Sequence, residues 1–155
     1  MVRTADQRTE GGLALRTPAQ LGYRMPAEWE PHAGTWLTWP RRESISFPVI
    51  YDRIPPIFAT VISTLSRGEE VFVNVCDPEM EADARKILKQ HDALNNNVNF
   101  FHHPSDEPWC RDHGPIFVQN ETTRAIINWD YNAWGKKYSA HKKDNKIPKR
   151  IASAR

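Results

Sequence analysis

At 155 residues, with 39% hydrophobic and 26% charged side chains, the chain has the size and composition of one soluble globular domain. It holds no run of about 18 apolar residues, which excludes a membrane-spanning helix. Its first twenty residues carry scattered charge and no apolar stretch, which argues against a secretory signal peptide. Two cysteines, Cys76 and Cys110, are too few for a disulfide framework, so reduced thiols and a cytoplasmic setting are expected.

Residues 1–20 lack apolar periodicity and are expected to be disordered. The folded body is expected over 21–135. Its opening, residues 22–32, is too rich in proline and aromatic residues for regular structure. Thr35–Trp39 alternates and is stopped by Pro40, the pattern of a short strand. Between Asp52 and Ser66, Ile54, Ile57, Phe58, Val61, Ile62 and Leu65 form one stripe at helical spacing. Asp52 is placed to cap that helix, Pro55 and Pro56 fit its first turn, and Gly68 ends it.

Glu70–Cys76 reads as a strand with Val71, Val73 and Val75 on one face. Asp77 and Pro78 open a second helix that runs to about His91 and buries Met80, Ala84, Ile87 and Leu88. Its acids, Glu79, Glu81 and Asp83, precede its bases, Arg85, Lys86 and Lys89, as the helix dipole favours. Val98–His102 is a further strand. Ile116–Val118 and Arg124–Trp129 form a hairpin around the polar turn at 119–123. Two helices among about five strands define an α/β or α+β class with a mixed sheet. Residues 136–155 are a basic C-terminal segment, with eight Lys/Arg against Asp144, a net +7 beside −5 for the rest of the chain. Such a tail suits nucleic acid or another anionic partner, and it also fits the edge of a domain continued elsewhere, a truncated blade, but a solvated basic end is favoured over nucleic-acid binding.

The densest polar cluster is Asp106-Glu107-Pro108-Trp109-Cys110-Arg111-Asp112-His113-Gly114-Pro115, in a loop between two strands, where binding groups are commonly displayed. A carboxylate beside an indole wall suits a planar cation. The acid makes paired charge-assisted hydrogen bonds and the ring face adds ~0.5–2 kcal/mol. Composition alone favours a plainer alternative, a salt-bridged turn in which Arg111 neutralises Asp106 or Asp112 and Trp109 is core. Cys110 near His113 makes a poor nucleophile pair, because a side chain at i+3 in a turn rarely aligns as a base and no third group orients it. Zinc ligation by Cys110, His113, His102 and His103 does not fit the usual paired-ligand spacings. Cys76, on a strand among apolar residues, reads as a small buried side chain. No glycine-rich phosphate loop, HExxH or GxSxG occurs.

Three stretches in this order resemble the agmatine deiminase and bacterial peptidyl-arginine deiminase family. They are residues 22–32 with Thr35–Pro40, the W-x-R-D-x-G-P run at Trp109–Pro115, and Trp129–Gly135. The resemblance spans residues 22 to 152 but only the front part of a typical member. It implies the pentein fold, a five-bladed α/β propeller around a central site, with about two of five strand–helix blades present here. It also implies guanidinium hydrolysis: a cysteine thiolate attacks the carbon, ammonia leaves, and water resolves the covalent intermediate. Two carboxylates clamp the nitrogens and a histidine shuttles protons.

By that resemblance the substrate is agmatine or an arginine-like group, with no metal or organic cofactor and no membrane partner. Asp112 matches the first guanidinium-binding carboxylate, Trp109 lines the same pocket, and Asp106, Arg111 and Gly114 support the motif. The family's histidine motif, second carboxylate and nucleophilic cysteine fall outside the matched part, and Cys110 occupies the variable x. The chain is therefore expected to be inactive alone and to self-associate through an open sheet edge. Its rivals are a basic-tailed binding module and a truncated pseudoenzyme. Where the family has Trp-Gly-Gly, this chain has Trp134-Gly135-Lys136.

Overall fold

The computed structural model of the chain describes residues 3–4 and 16–154. In chain order its elements are β1 (Arg3–Thr4), β2 (Gly34–Thr38), α1 (Ile54–Leu65), β3 (Glu70–Val75), α2 (Pro78–Gln90), β4 (Val98–His102), α3 (Cys110–His113), β5 (Ile116–Gln119), β6 (Arg124–Ile127) and α4 (Ile147–Ala154). Two three-stranded sheets result. The first, ordered β2-β3-β4, is wholly parallel. The second, ordered β1-β6-β5, is the mixed sheet: β6 runs antiparallel to β5 and parallel to β1.

Central strand β3 is buried from Val71 to Val75, as a parallel strand covered on both faces must be. Val71, Val73 and Val75 pack with Ala59 and Ile62 of α1, Ala84 and Leu88 of α2, and Trp39. Residues of the alternate face form an aromatic layer, in which the Trp36 ring lies 4.9 Å from both Phe72 and Phe101. Helix α2 is capped as expected: the Asp77 carboxylate accepts the Met80 N–H at 2.9 Å.

Helix α1 departs from expectation at both its cap and its stripe. Asp52 lies in a 3-10 turn, Tyr51–Arg53, and pairs with Arg42 instead of capping. Pro55 and Pro56 lack two of the N–H groups a cap would satisfy, so little is lost. The buried face is centred on Ile54, Ala59 and Ile62, which leaves Ile57 (55%) and Val61 (41%) exposed on its flank.

In the second half, Asn120 Oδ1 accepts the N–H groups of Thr122 and Thr123 and closes the expected β5–β6 hairpin. Arg24 and Gln119 exchange backbone hydrogen bonds of 2.8 and 2.9 Å, tying the proline-rich opening to β5. The basic tail is not a solvated end. Ile147 and Ile151 of α4 are fully buried against Ile126, Lys149 is exposed, and half-buried Arg150 donates to Pro104 O. Two isoleucines four residues apart make a stripe too short to register among eight basic residues. Of the segment expected to be disordered, residues 1, 2 and 5–15 lie outside the described residues, whereas Arg3–Thr4 pair with β6 and Ala19–Leu21 form a 3-10 turn. Among the described residues no helix is long and apolar enough to cross a membrane.

His103, just past β4, is buried, with Nδ1 donating to Asn74 Oδ1 at 2.9 Å and its ring stacked on Phe101. Burial, reinforced by nearby Arg150 and His102, holds its pKa down from 6.5 to about 4. The unfolded chain therefore takes up this proton first as the pH falls. The stability His103 contributes is fully present above pH 6.5 and is lost on the way down to pH 4. Thermal or urea unfolding should show wild type losing up to about 1.4 kcal/mol per pH unit more than His103→Gln across that window. Parallel pH profiles for the two proteins would refute the assignment.

Candidate active site

The turn that carries the polar cluster is built by its last glycine. Helix α3 is a single turn in which Trp109 O accepts the Asp112 and His113 N–H groups at 2.9 and 3.1 Å, and Gly114 N donates to Cys110 O at 2.9 Å. A Cβ at residue 114 would sit 2.2 Å from the Cys110 carbonyl oxygen, so only glycine allows the chain to leave in this direction. This tight turn splits its side chains. Asp112 is exposed, His113 is buried inward, and the Cys110 thiol donates to Trp36 O at 3.4 Å. Arg111 reaches out to Glu28. It neutralises neither Asp106 nor Asp112, as the salt-bridged-turn reading required. Asp106 instead accepts the Lys143 N–H at 2.9 Å, with the Lys143 ammonium 4.0 Å from its other oxygen. Among the described residues the Asp112 carboxylate has no ion pair.

Facing this turn is a left-handed one. Ala133, Trp134, Gly135 and Lys136 have φ of 52°, 53°, 75° and 67°. Each non-glycine residue in that region costs roughly 1–2 kcal/mol. Local hydrogen bonds hold the strained backbone. Lys136 N donates to Asn132 O at 2.7 Å, Lys137 N to Ala133 O at 3.0 Å, and Gly135 N to Asn132 Oδ1 at 2.9 Å. The result is to stand Trp134 at the surface, its indole against Trp109 at 5.1 Å and Tyr138 at 5.8 Å. Strain of this kind concentrates at functional sites.

Between the two turns lies a half-open cleft of about 310 Å³. Asp112, Asp130, Trp129, Tyr131 and Trp134 line it. Trp109 does not; it backs Trp134 from behind. The cleft thus holds two carboxylates and two indoles, a set suited to a planar cation. Burial, with the Asp144 and Asp112 carboxylates nearby, pushes the Tyr131 phenol up to about 12, so it remains a neutral hydrogen-bond donor. Burial pushes the Cys110 thiol up as well, the opposite of what a nucleophile needs, and Cys110 is not among the cleft residues. Among the described residues no group of three His, Cys, Asp or Glu is placed to hold a metal ion.

Asp130 and the two exposed indoles are functional candidates that the sequence reading did not single out. The available signal was an acid set between aromatics in Trp129-Asp130-Tyr131-Asn132-Ala133-Trp134.

Residues 24–155 match the model of the Porphyromonas-type peptidyl-arginine deiminase family. An agmatine deiminase of Stutzerimonas stutzeri is 36% identical over 145 residues, covering 87% of this chain and 36% of that one. A Selenomonas ruminantium protein, named as a candidate agmatine deiminase, is 38% identical over 120 residues, covering 77% of this chain and 31% of its own. The chain spans about a third of the length of these relatives. Among solved structures, a cysteine-to-serine variant of C. jejuni agmatine deiminase with substrate bound superposes with a TM-score of 0.70 at 20% identity, covering 84% of this chain and 36% of that one. Over the matched residues the α/β fold is therefore shared with deiminases of the pentein fold.

The left-handed turn makes a two-sided prediction. Gly135→Ala meets no atom within 4 Å, so its cost is purely conformational, about 1–2 kcal/mol of stability lost. Lys136→Gly relieves an existing strain and should gain up to about 1 kcal/mol, with a rise in melting temperature of a few degrees. Differential scanning calorimetry checks both signs. A destabilised Lys136→Gly protein would show that the turn is not strained there.

Proposed function

Because the chain belongs to the Porphyromonas-type peptidyl-arginine deiminase family, we propose that its cleft binds the guanidinium group of agmatine or of an arginine-like side chain for hydrolysis. The observation that carries this reading is the Asp112 carboxylate, unpaired and facing a cleft whose opposite wall is the exposed indole of Trp134. A carboxylate accepts two parallel N–H groups from a guanidinium, which fixes the plane of the cation as well as its charge. Asp130 supplies a second negative charge in the same cleft, and the indoles of Trp134 and Trp129 offer ring faces to the delocalised cation.

The overall reaction on agmatine replaces one terminal nitrogen by oxygen: agmatine and water give N-carbamoylputrescine and ammonia. Covalent deimination requires a thiolate in line with the guanidinium carbon, and neither cysteine meets that need. Cys110 is turned to the Trp36 carbonyl, and Cys76 is half-buried with its sulfur 3.7 Å from Ser105 O. These 155 residues accordingly supply a binding half of the site and no turnover by themselves. Loss of a nucleophile and its base commonly removes ~10⁶-fold of rate. The two sheets, each with its covering helices, are read as two blades of the propeller. Exposed Ile57 and Val61 on α1 give the isolated chain an apolar flank for self-association.

A basic-tailed binding module fits less well. Ile147 and Ile151 belong to the second core, so removing residues 136–155 would open the fold before it tested any ligand.

Agmatine titration monitored by tryptophan fluorescence, with n-butylamine as the control lacking a guanidinium, tests the reading. Wild type should bind agmatine in preference to butylamine. Asp112→Asn should weaken binding at least about tenfold, or about 1.4 kcal/mol. No ammonia should be released by either protein. Turnover that vanishes in Cys110→Ser would overturn the account, because it would make that buried thiol the nucleophile.

A further inference from the structure

Both walls of the cleft are tied to two adjacent residues of the tail. Asp144 is fully buried, and its Oδ1 accepts the backbone N–H groups of Asp106 at 2.6 Å and Glu107 at 3.2 Å. Asp106 returns the contact by accepting the Lys143 N–H at 2.9 Å. The Glu107 carbonyl in turn accepts from His113 Nε2 at 3.1 Å, and His113 is the neighbour of Asp112 in α3. On the other wall, Asn145 Oδ1 accepts the Tyr131 N–H at 2.8 Å, while Asn145 Nδ2 donates to the Asp130 carboxylate at 2.6 Å. Directly after these residues, Ile147 and Ile151 lock into the core against Ile126.

We propose that Asp144 and Asn145 are positioning residues that together set the distance and angle between the Asp112 turn and the Asp130–Trp134 wall. The proposal rests on the reading of that cleft as a guanidinium site. Asp144 acts through the 106–107 backbone and His113 on the first wall; Asn145 acts on the second by fixing Asp130 and the entry to the left-handed turn. Recognition of a planar cation needs the carboxylate in the plane of its N–H groups and the indole face above that plane. A small change in the relation between the walls therefore costs affinity without removing any contacting group. The basic tail thus owes its place at the site to its acid and its amide.

The test compares Asp144→Ala, Asp144→Asn, Asn145→Ala and Asp112→Asn in the full chain. It uses agmatine as the probe, fluorescence for affinity, and near-ultraviolet circular dichroism to report the Trp109–Trp134 pair. Asp144→Ala leaves two buried N–H groups unpaired, whereas Asp144→Asn keeps a side-chain oxygen for them. Asp144→Ala and Asn145→Ala should each bind agmatine at least about tenfold more weakly. Asp144→Asn should recover most of that loss. Asn145→Ala should lose the near-ultraviolet signal of the tryptophan pair with its far-ultraviolet spectrum intact. If Asp144→Ala fails to fold, Asp144→Asn and Asn145→Ala carry the test. Asn145→Ala with wild-type affinity and a wild-type aromatic spectrum, alongside lost binding in Asp112→Asn, would overturn the positioning role alone. Wild-type binding by Asp112→Asn would instead sink the guanidinium reading, and the aromatic spectrum of Asn145→Ala would then decide the positioning role independently.

Discussion

Two carboxylates buried beneath the cleft, Glu107 and Asp144, constrain everything around them. A charge taken out of water costs several kcal/mol unless hydrogen bonds replace its hydration. Here three of the four donors come from backbone that would otherwise be loop, and the fourth is a serine hydroxyl. Ile45 N and the Ser46 hydroxyl serve Glu107, and Asp106 N and Glu107 N serve Asp144. Pairing Glu107 and the Oδ1 of Asp144 therefore forces the segments around 45, 107 and 144 together, far apart as they are in the chain, while Asp144 Oδ2 stays buried without a hydrogen-bond partner among the described residues. Burial raises the pKa of Asp144, and the neighbouring His113 works against that rise. The arrangement is costly to break from one side only, because removing either partner strands a buried polar group.

Above this base the division of labour is clear. The first sheet is a conventional parallel unit whose valines and covering helices hold it together. The second has a much smaller core, Ile126, Ile147 and Ile151, and relies more on polar ties and aromatic stacking around Trp109, Trp134 and Tyr138. The cleft belongs to this second half. Its strained left-handed turn is held by Asn132 and by the rings behind Trp134. Strain and exposed indoles reduce stability, and they persist because the surrounding contacts over-determine them.

The parts legible from the chain alone were those that follow a simple period. The β3 valines, the Asp77 cap and the β5–β6 hairpin obey strand alternation or helix-start chemistry, and each appears where that chemistry puts it. Failures came where tertiary contacts outweighed a local rule. Asp52 found Arg42 in place of a helix N-terminus already relieved by two prolines. The tail looked solvated because lysines dominate it, yet two isoleucines and one buried acid decide where it sits. At the site, the motif around Asp112 identified the turn but not its partner wall. No periodic signal announces four successive residues of left-handed backbone. The replacement of a family glycine by Lys136 was visible, and only the turn gives it physical meaning.

In the proposed mode of binding a guanidinium sits between the Asp112 turn and the Trp134 wall. Nitrogen-15 spectra of the six tryptophan indole N–H groups during agmatine titration test it most directly. Saturable shifts are expected at Trp134 and Trp129, absent with n-butylamine, while Trp36 and Trp39 in the first half stay fixed. Shifts confined to Trp36 and Trp39, or equal responses to agmatine and butylamine, would contradict it.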